Sequence, residues 1–409
     1  MFTLEGNIVT NKGIFRKSIE INDSGIISKI GSPTGAADFI FWEELIFPGF
    51  IDLHVHARED AGHAQDYKED FTTAGEAAIH GGVVALADMP NNTILPVDDK
   101  SYLGKVELAK KSTADVLLYA ILTPASKPLS FPVPYKAFTS KSVGEAFFSQ
   151  FPDLEEAVKK YQGQNISFHC EDPEIIRQNQ NQLTHEKQRP KEAEIRAIEF
   201  VLHLIEKYNI KGKICHCSTV EGLEKIINAK KRGVTVTVEV TPHHLYFDEA
   251  MLNEGNRNLL QVNPPIRGNK ENRLALIEAL RKGEIDYLAS DHAPHTVEEK
   301  EKGASGLPQL DTFGPFVAWL MKEHDFTPEE IARVCSENPA NFFNEFKDIK
   351  YGKIEEGYTG SLTILDINKP IMITKEILKT KCGWSPFERV TFPGSVVMTI
   401  VKGKVYKNA

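Results

Sequence analysis

Apolar positions along the chain fall into two regimes. Near the N-terminus, Leu4-Glu5-Gly6-Asn7-Ile8-Val9-Thr10, the turn Asn11-Lys12-Gly13 and a polar–apolar stretch ending at Ser28-Lys29-Ile30-Gly31-Ser32 predict short strands joined by turns. The C-terminal part repeats this character at Gly360-Ser361-Leu362-Thr363-Ile364-Leu365-Asp366 and at Val396-Val397-Met398-Thr399-Ile400-Val401, before Lys402-Gly403-Lys404. The two ends are expected to pair into one small β-sandwich domain, residues 1–47 and 352–409. Between them, over 48–351, short apolar runs alternate with helical stretches. The runs lie at 50–56, 83–90, 116–122, 135–138, 165–170, 213–218, 234–241 and 285–291. Eight β-then-α units over about 300 residues predict an α/β protein of the (β/α)₈ barrel type. Pro132 and Pro134 crowd the fourth run and make it the least regular.

Composition narrows the classes. With 41% hydrophobic and 26% charged residues, a disordered, collagen-like or coiled-coil chain is excluded. A net charge of −9 without a long basic run argues against a nucleic-acid partner. The first residues lack an apolar core of signal-peptide length, and no window approaches eighteen apolar residues, so a soluble cytoplasmic protein without a membrane partner is expected. The five cysteines (170, 215, 217, 335 and 382) are scattered and odd in number, as in a reducing compartment. Cys215-His216-Cys217 has no second cysteine pair to close a thiolate site. Strand alternation would set both cysteines opposite His216 as packing residues.

Barrel chemistry sits at the C-terminal ends of the strands. His54 and His56 close the first run, and their i, i+2 spacing puts both imidazoles on one face. Asp88 and Asn91 follow the second, Lys136 lies in the fourth, and His169 ends the fifth. His216 ends the sixth, and Asp291 ends the eighth, with His292 and His295 after it. One such imidazole is ordinarily a hydrogen-bonded core residue. Several strand ends carrying His or Asp, His-x-His among them, suit Zn²⁺ or a similar divalent metal.

Phe47-Pro48-Gly49-Phe50-Ile51-Asp52-Leu53-His54-Val55-His56 resembles the opening of the amidohydrolase superfamily's metal barrel. Ala57-Arg58-Glu59-Asp60, Asp88-Met89-Pro90-Asn91-Asn92, Asn263-Pro264-Pro265-Ile266-Arg267 and Ala289-Ser290-Asp291-His292-Ala293-Pro294-His295 narrow the resemblance to the dihydroorotase family, cyclic-amide hydrolases of pyrimidine synthesis. Val240-Thr241-Pro242-His243-His244-Leu245 and the split β domain extend it through nearly the whole chain. The resemblance implies that His54, His56 and Asp291 hold one zinc ion, and His169 and His216 a second. Lys136 would bridge both as a carbamate. A lysine ammonium, with an ordinary pKa of about 10.4, has no lone pair to offer a metal; a carbamate is anionic and does. Asp291 would also shuttle the proton.

Arg58, Asn91 and His295 would clamp the substrate's carboxylate, with Asn263 near the ring; only an arginine offers that paired fork. Some bacterial relatives carry an aspartate just after an Ala-Phe-Thr stretch and dispense with the modified lysine. Here Tyr135-Lys136-Ala137-Phe138-Thr139-Ser140-Lys141 has no acid. The alternative at Lys136 is an ion pair beside a single metal, and that at Arg58 a surface pair with Glu59 or Asp60.

The other polar features have structural readings. His243-His244 is expected to support the fold, and His292 the metal surroundings or its loop. His63, His80, His185, His203 and His324 read as solvated or capping residues. Glu171 and Asp172 are expected to cap the helix opening at Pro173. Lys230-Lys231-Arg232 reads as a basic helix end, and residues 303–308 as a wall or lid over the site. The partner is a small molecule; the resemblance also allows a homo-oligomer. Two rival readings stay open: a hydantoinase, dihydropyrimidinase or allantoinase with the same metal set, and a metal-free scaffold relative. Arg58 separates the first, because those enzymes' usual substrates lack the ring carboxylate. A complete set of competent ligand positions speaks against the second.

Overall fold

The computed structural model describes residues 1–141 and 146–408. Four N-terminal strands, β1 (Phe2–Thr10), β2 (Gly13–Ile21), β3 (Ile27–Gly31) and β4 (Phe39–Pro48), lead into the barrel strands. These are β5 (Phe50–Val55), β6 (Val83–Asp88), β7 (Asp115–Leu118) with its continuation β8 (Ala120–Ile121), β9 (Tyr135–Phe138), β10 (Asn165–His169), β11 (Lys211–Ile214), β12 (Val236–Val240) and β13 (Tyr287–Leu288). The chain closes with β14 (Leu362–Asp366), β15 (Ile371–Met372), β16 (Thr391–Phe392), β17 (Ser395–Val401) and β18 (Lys404–Lys407).

The barrel strands pair in parallel order. β5, β6 and β7 form one run, and β8 to β13 the other. Tyr119 joins them, its N–H donating to Asp88 O at 3.0 Å while Ala120 N–H turns to Pro134 O at 2.9 Å. Across the remaining seam, Asp52 Oδ1 accepts from Ser290 N–H at 3.0 Å. A parallel bridge pairs Val55 with His292. Every residue of β5 and β6 is buried, as expected for parallel strands covered on both faces. The fourth barrel strand forms despite its prolines: Pro132 and Pro134 lie before Tyr135, outside the ladder, and Lys136 pairs with Ser167 in register. Helices between strands start on side-chain caps. Asp70 and Asp98 each form a capping box before Phe71–His80 and Asp99–Ala109, and Asn269 caps Lys270–Lys282. Beneath the site, Phe168 is fully buried in the large apolar core, so Phe168→Ala would cost about 3–5 kcal/mol.

The ends of the chain meet in one continuous seven-stranded sheet ordered β18-β17-β14-β4-β1-β2-β3. It encloses its own apolar cluster, including Leu4, Ile19, Ile46, Leu362 and Ile400. The segment between β14 and β17 returns to the barrel, where Phe387 and Phe392 join the large core. Trp384 Nε1–H donates to His295 O at 2.7 Å, so this excursion braces a barrel loop beside the site. Among the described residues no helix is long and apolar enough to cross a membrane.

Candidate metal centre and active site

Twelve residues from the barrel's C-terminal face line one small cavity: His54, His56, Arg58, Asn91, Phe138, His169, His216, Asn263, Asp291, Ala293, Ser305 and Gly306. Eight of the sequence-derived candidates are among them. Lys136 lies beneath, fully buried, and His295 stands behind Arg58. Three of these residues hold backbone conformations that non-glycine residues seldom adopt: Arg58 at φ 64°, His216 at φ 35° and Asp291 at φ 47°. Each costs about 1–3 kcal/mol and persists only where surrounding structure imposes it. Here Asp88 supplies part of that constraint, its Oδ1 accepting from Ala57 N–H at 2.7 Å between His56 and Arg58.

Hydrogen-bond partners set the ring tautomers. His54 Nδ1 bonds Glu239 Oε1, and His56 Nδ1 lies 2.6 Å from Asn91 Oδ1. Both partners accept, so both protons sit on Nδ1. The Nε2 lone pairs then face Asp291 Oδ1 at 3.2 and 3.1 Å. Three acceptor atoms thus crowd together with no proton among them, an arrangement that a shared cation reconciles. Opposite, His169 Nε2 faces Glu171 Oε2 at 3.2 Å, which leaves its Nδ1 lone pair toward His216 Nε2 at 3.0 Å. His54, His216 and Asp291 each bring one donor atom within 4.8 Å of the others. The donor set of neutral imidazoles and a carboxylate fits zinc.

Burial pushes the pKa values of His54, His56 and His216 well below the ordinary imidazole range, and the Lys136 ammonium adds to the effect. His169 is lowered chiefly by burial, with Glu171 opposing. Burial raises Asp291 to about 7 against the pull of Lys136. Lys136 therefore acts electrostatically on all five other candidate ligands, which marks its central place.

Several expectations change. Cys215 does not point away from the site: Lys136 Nζ donates to its Sγ at 2.8 Å. β11 ends at Ile214, and the left-handed turn at His216 breaks the alternation on which that expectation rested. Asp172 caps Pro173–Asn179 as expected, but Glu171 does not; it bonds His169 and pairs with Arg189 at 2.9 Å and Arg267 at 3.4 Å. His185 is neither solvated nor capping, since its Nε2 lies 2.9 Å from both Val262 O and Asn263 Oδ1. His80 is likewise bonded, to Asp311.

His243 and His244 serve the fold, contacting Gln309 and Thr241 respectively. His292 holds its loop, accepting from Gln309 N–H at 3.0 Å. Residues 305 and 306 form a wall of the cavity. Glu239 was missed altogether, although a lone acid in the apolar run 234–241 was a signal: its other oxygen pairs with Lys213, also buried.

An eight-stranded α/β barrel with imidazoles and a carboxylate converging at its strand ends defines the class, a metal-dependent hydrolase barrel. A family model described as "Amidohydrolase family" matches residues 45–406, and the chain belongs to that family, whose members are metal-dependent. Its curated relatives include the dihydroorotase of Thermococcus kodakarensis, 37% identical over 98% of this chain and 93% of that protein. That of Pyrococcus furiosus is 34% identical over 98% and 91%, and that of Listeria welshimeri 32% identical over 100% and 99%. Among solved structures, the L-hydantoinase (dihydropyrimidinase) of Arthrobacter aurescens superposes with a TM-score of 0.90 at 24% identity, covering 100% of this chain and 96% of that one. At that identity the likeness speaks for the fold.

Proposed function

We propose that the chain is a dihydroorotase, catalysing reversible hydrolysis of the cyclic amide of (S)-dihydroorotate to N-carbamoyl-L-aspartate. The observation that carries the reading is Arg58. Its guanidinium is buried, lines the same cavity as the metal-binding candidates, and keeps Nη1 without a hydrogen-bond partner. A buried unpaired guanidinium N–H costs several kcal/mol unless an anion meets it, and a ring carboxylate meets it with charge. The full-length relatives named dihydroorotase support the same substrate. Hydantoinase-like folds alone do not select hydantoin, because they share the barrel.

In this reading His54, His56 and Asp291 would hold one zinc ion and His169 and His216 a second, with Lys136 serving both as a carbamate. Such ions would supply a Lewis acid for the ring carbonyl and a water that ionises near neutral pH. Asp291 accepts the proton of the attacking water and returns it to the departing ring nitrogen as the carbon–nitrogen bond breaks. Arg58 anchors the carboxylate with Asn91, His295 completes the clamp from behind Arg58, and Asn263 borders the ring. Ser305 and Gly306 limit water access from the loop side. Gly306 is required there: at φ 140°, a Cβ would lie 2.3 Å from Ala293 O.

The direct test is metal-dependent ring opening of dihydroorotate compared with hydantoin and allantoin. Turnover of hydantoin but not dihydroorotate sinks the assignment. For the bridge, Lys136→Ala is expected to lose tightly held zinc; two ions retained in that variant would refute it.

A further inference from the structure

Behind Arg58 a chain of polar groups runs from the buried His295 through the half-buried Glu299 to the surface at Tyr67, and the reaction as described leaves it unused. Arg58 Nε–H donates to Pro294 O at 3.2 Å, and Nη2–H faces His295 Nε2 at 3.2 Å. A guanidinium only donates, so His295 Nε2 must accept and its proton must sit on Nδ1. That Nδ1 lies 3.1 Å from Glu299 Oε2; Lys68 Nζ is also 3.4 Å from it but has the nearer Glu299 Oε1, at 3.0 Å, to receive its proton. Glu299 takes donors on both oxygens: Oε2 also accepts from Thr296 N–H at 3.2 Å, while Oε1 accepts from Tyr67 Oη–H at 2.6 Å and meets Lys68 Nζ at 3.0 Å. Four donors on one carboxylate use its full accepting capacity.

The imidazole is also held sterically. A Cβ on Gly306 would lie 3.1 Å from His295 Cδ2, and Trp384 holds the backbone carbonyl. Burial, with the Arg58 and Lys68 cations beside it, holds the ring's pKa well below the ordinary imidazole range. Of the three Arg58 guanidinium nitrogens, Nη1 has no hydrogen-bond partner among the described residues.

We infer that Glu299 is a positioning and specificity-determining residue: by fixing the proton of His295 on Nδ1, it makes Nε2 an acceptor that aims Arg58 at anionic ring substrates. The inference rests on Arg58 being the carboxylate anchor. Glutamine at 299 cannot reproduce the arrangement. If its carbonyl faces Tyr67 and Lys68, its NH₂ confronts the Nδ1–H of His295 and forces the proton to Nε2, against Arg58. If its carbonyl faces His295, the NH₂ confronts the Lys68 ammonium.

The experiment compares wild type, Glu299→Gln and Arg58→Met as zinc-loaded enzymes. A hydrogen bond to a charged group corresponds to a change of roughly 10–100-fold, so Glu299→Gln is expected to raise KM for dihydroorotate by about that factor, with kcat within about threefold. Long-range ¹H–¹⁵N spectra should show the His295 proton leaving Nδ1, the signal being identified by its absence in His295→Gln. Tyr67→Phe, at an exposed side chain, removes one donor only and is expected to raise KM about threefold while folding normally. Unchanged KM in both Glu299→Gln and Tyr67→Phe, with Arg58→Met impaired, overturns the role of Glu299 and leaves the anchor standing. Wild-type KM in Arg58→Met overturns both. A proton found on Nε2 of His295 in wild type also overturns the inference.

Discussion

The two sides of the cavity are built differently. The side with the metal-ligand candidates is anchored at strand ends: His54 and Lys136 lie within β5 and β9, His169 ends β10, His56, His216 and Asp291 follow β5, β11 and β13 by one to three residues, and the acids beside His169 and His54, Glu171 and Glu239, are fully buried. The substrate side is carried on loops after β5, β6 and β13, and its aim depends on contacts from distant segments, Trp384 and Tyr67 among them. In the proposed reading, chemistry common to cyclic-amide hydrolysis rests on the barrel's strand ends, while discrimination rests on connections that can vary without disturbing it. The comparison breaks if variants on one side produce the effects expected of the other.

The largest effect belongs to the shared centre. Asp291→Asn is expected to lower kcat by about 10²–10⁴-fold for any cyclic amide the enzyme opens, from loss of the proton shuttle alone. Initial rates check it, and substantial residual turnover would remove Asp291 from its role. Next, Arg58→Met should cut kcat/KM for dihydroorotate by about 10²-fold, as expected for losing a desolvated charge pair, and spare uncharged cyclic amides. An equal loss on uncharged rings would mean that Arg58 supports the metal side instead.

Glu239→Gln sharpens the contrast from the other direction. It should weaken zinc binding by about 10–100-fold in chelator competition, the usual cost of losing a carboxylate that orients a ligand imidazole. Arg58→Met should leave that affinity unchanged. Because Glu239→Gln also leaves Lys213 buried without its counter-charge, a lower Tm should accompany it.

The smallest effect tests the loop wall. Lys300 is buried, its Nζ donating to Gln261 O at 2.6 Å and Ala304 O at 2.7 Å. Burial, with Arg58 nearby, lowers its pKa to about 7. Between about 7 and the ordinary lysine value of about 10.4 the unfolded chain binds this proton and the folded one does not, so stability rises with pH through that window. The Tm difference between wild type and Lys300→Met should therefore shift in favour of wild type by a few degrees from pH 7 to 10. A flat difference would mean that Lys300 keeps its proton.

Much of the site was legible because metal ligation demands particular residue types at strand ends. His54-x-His56, His169, His216 and Asp291 announce themselves on apolar runs. The orienting acids were harder to read. Glu171 sits beside a proline that suggests a helix cap, and only folding brings Arg189 and Arg267 to it. Cys215 was misdirected because strand alternation assumes a strand that continues, and β11 stops one residue earlier. His185 looked like a surface residue, yet it meets Asn263, which lies 78 positions away.

Sequence alone determined the barrel, the meeting of both ends and the candidates for chemistry, which folding gathers around one cavity. Hydrophobic periodicity and residue type are local properties, and each strand writes its own. Tertiary structure decided which lone pairs face one another, which proton each imidazole carries and which guanidinium nitrogen is left unpaired. Those depend on hydrogen-bond partners that arrive from other strands and loops. A tautomer is a property of a neighbourhood, and the chain acquires its neighbourhoods only on folding.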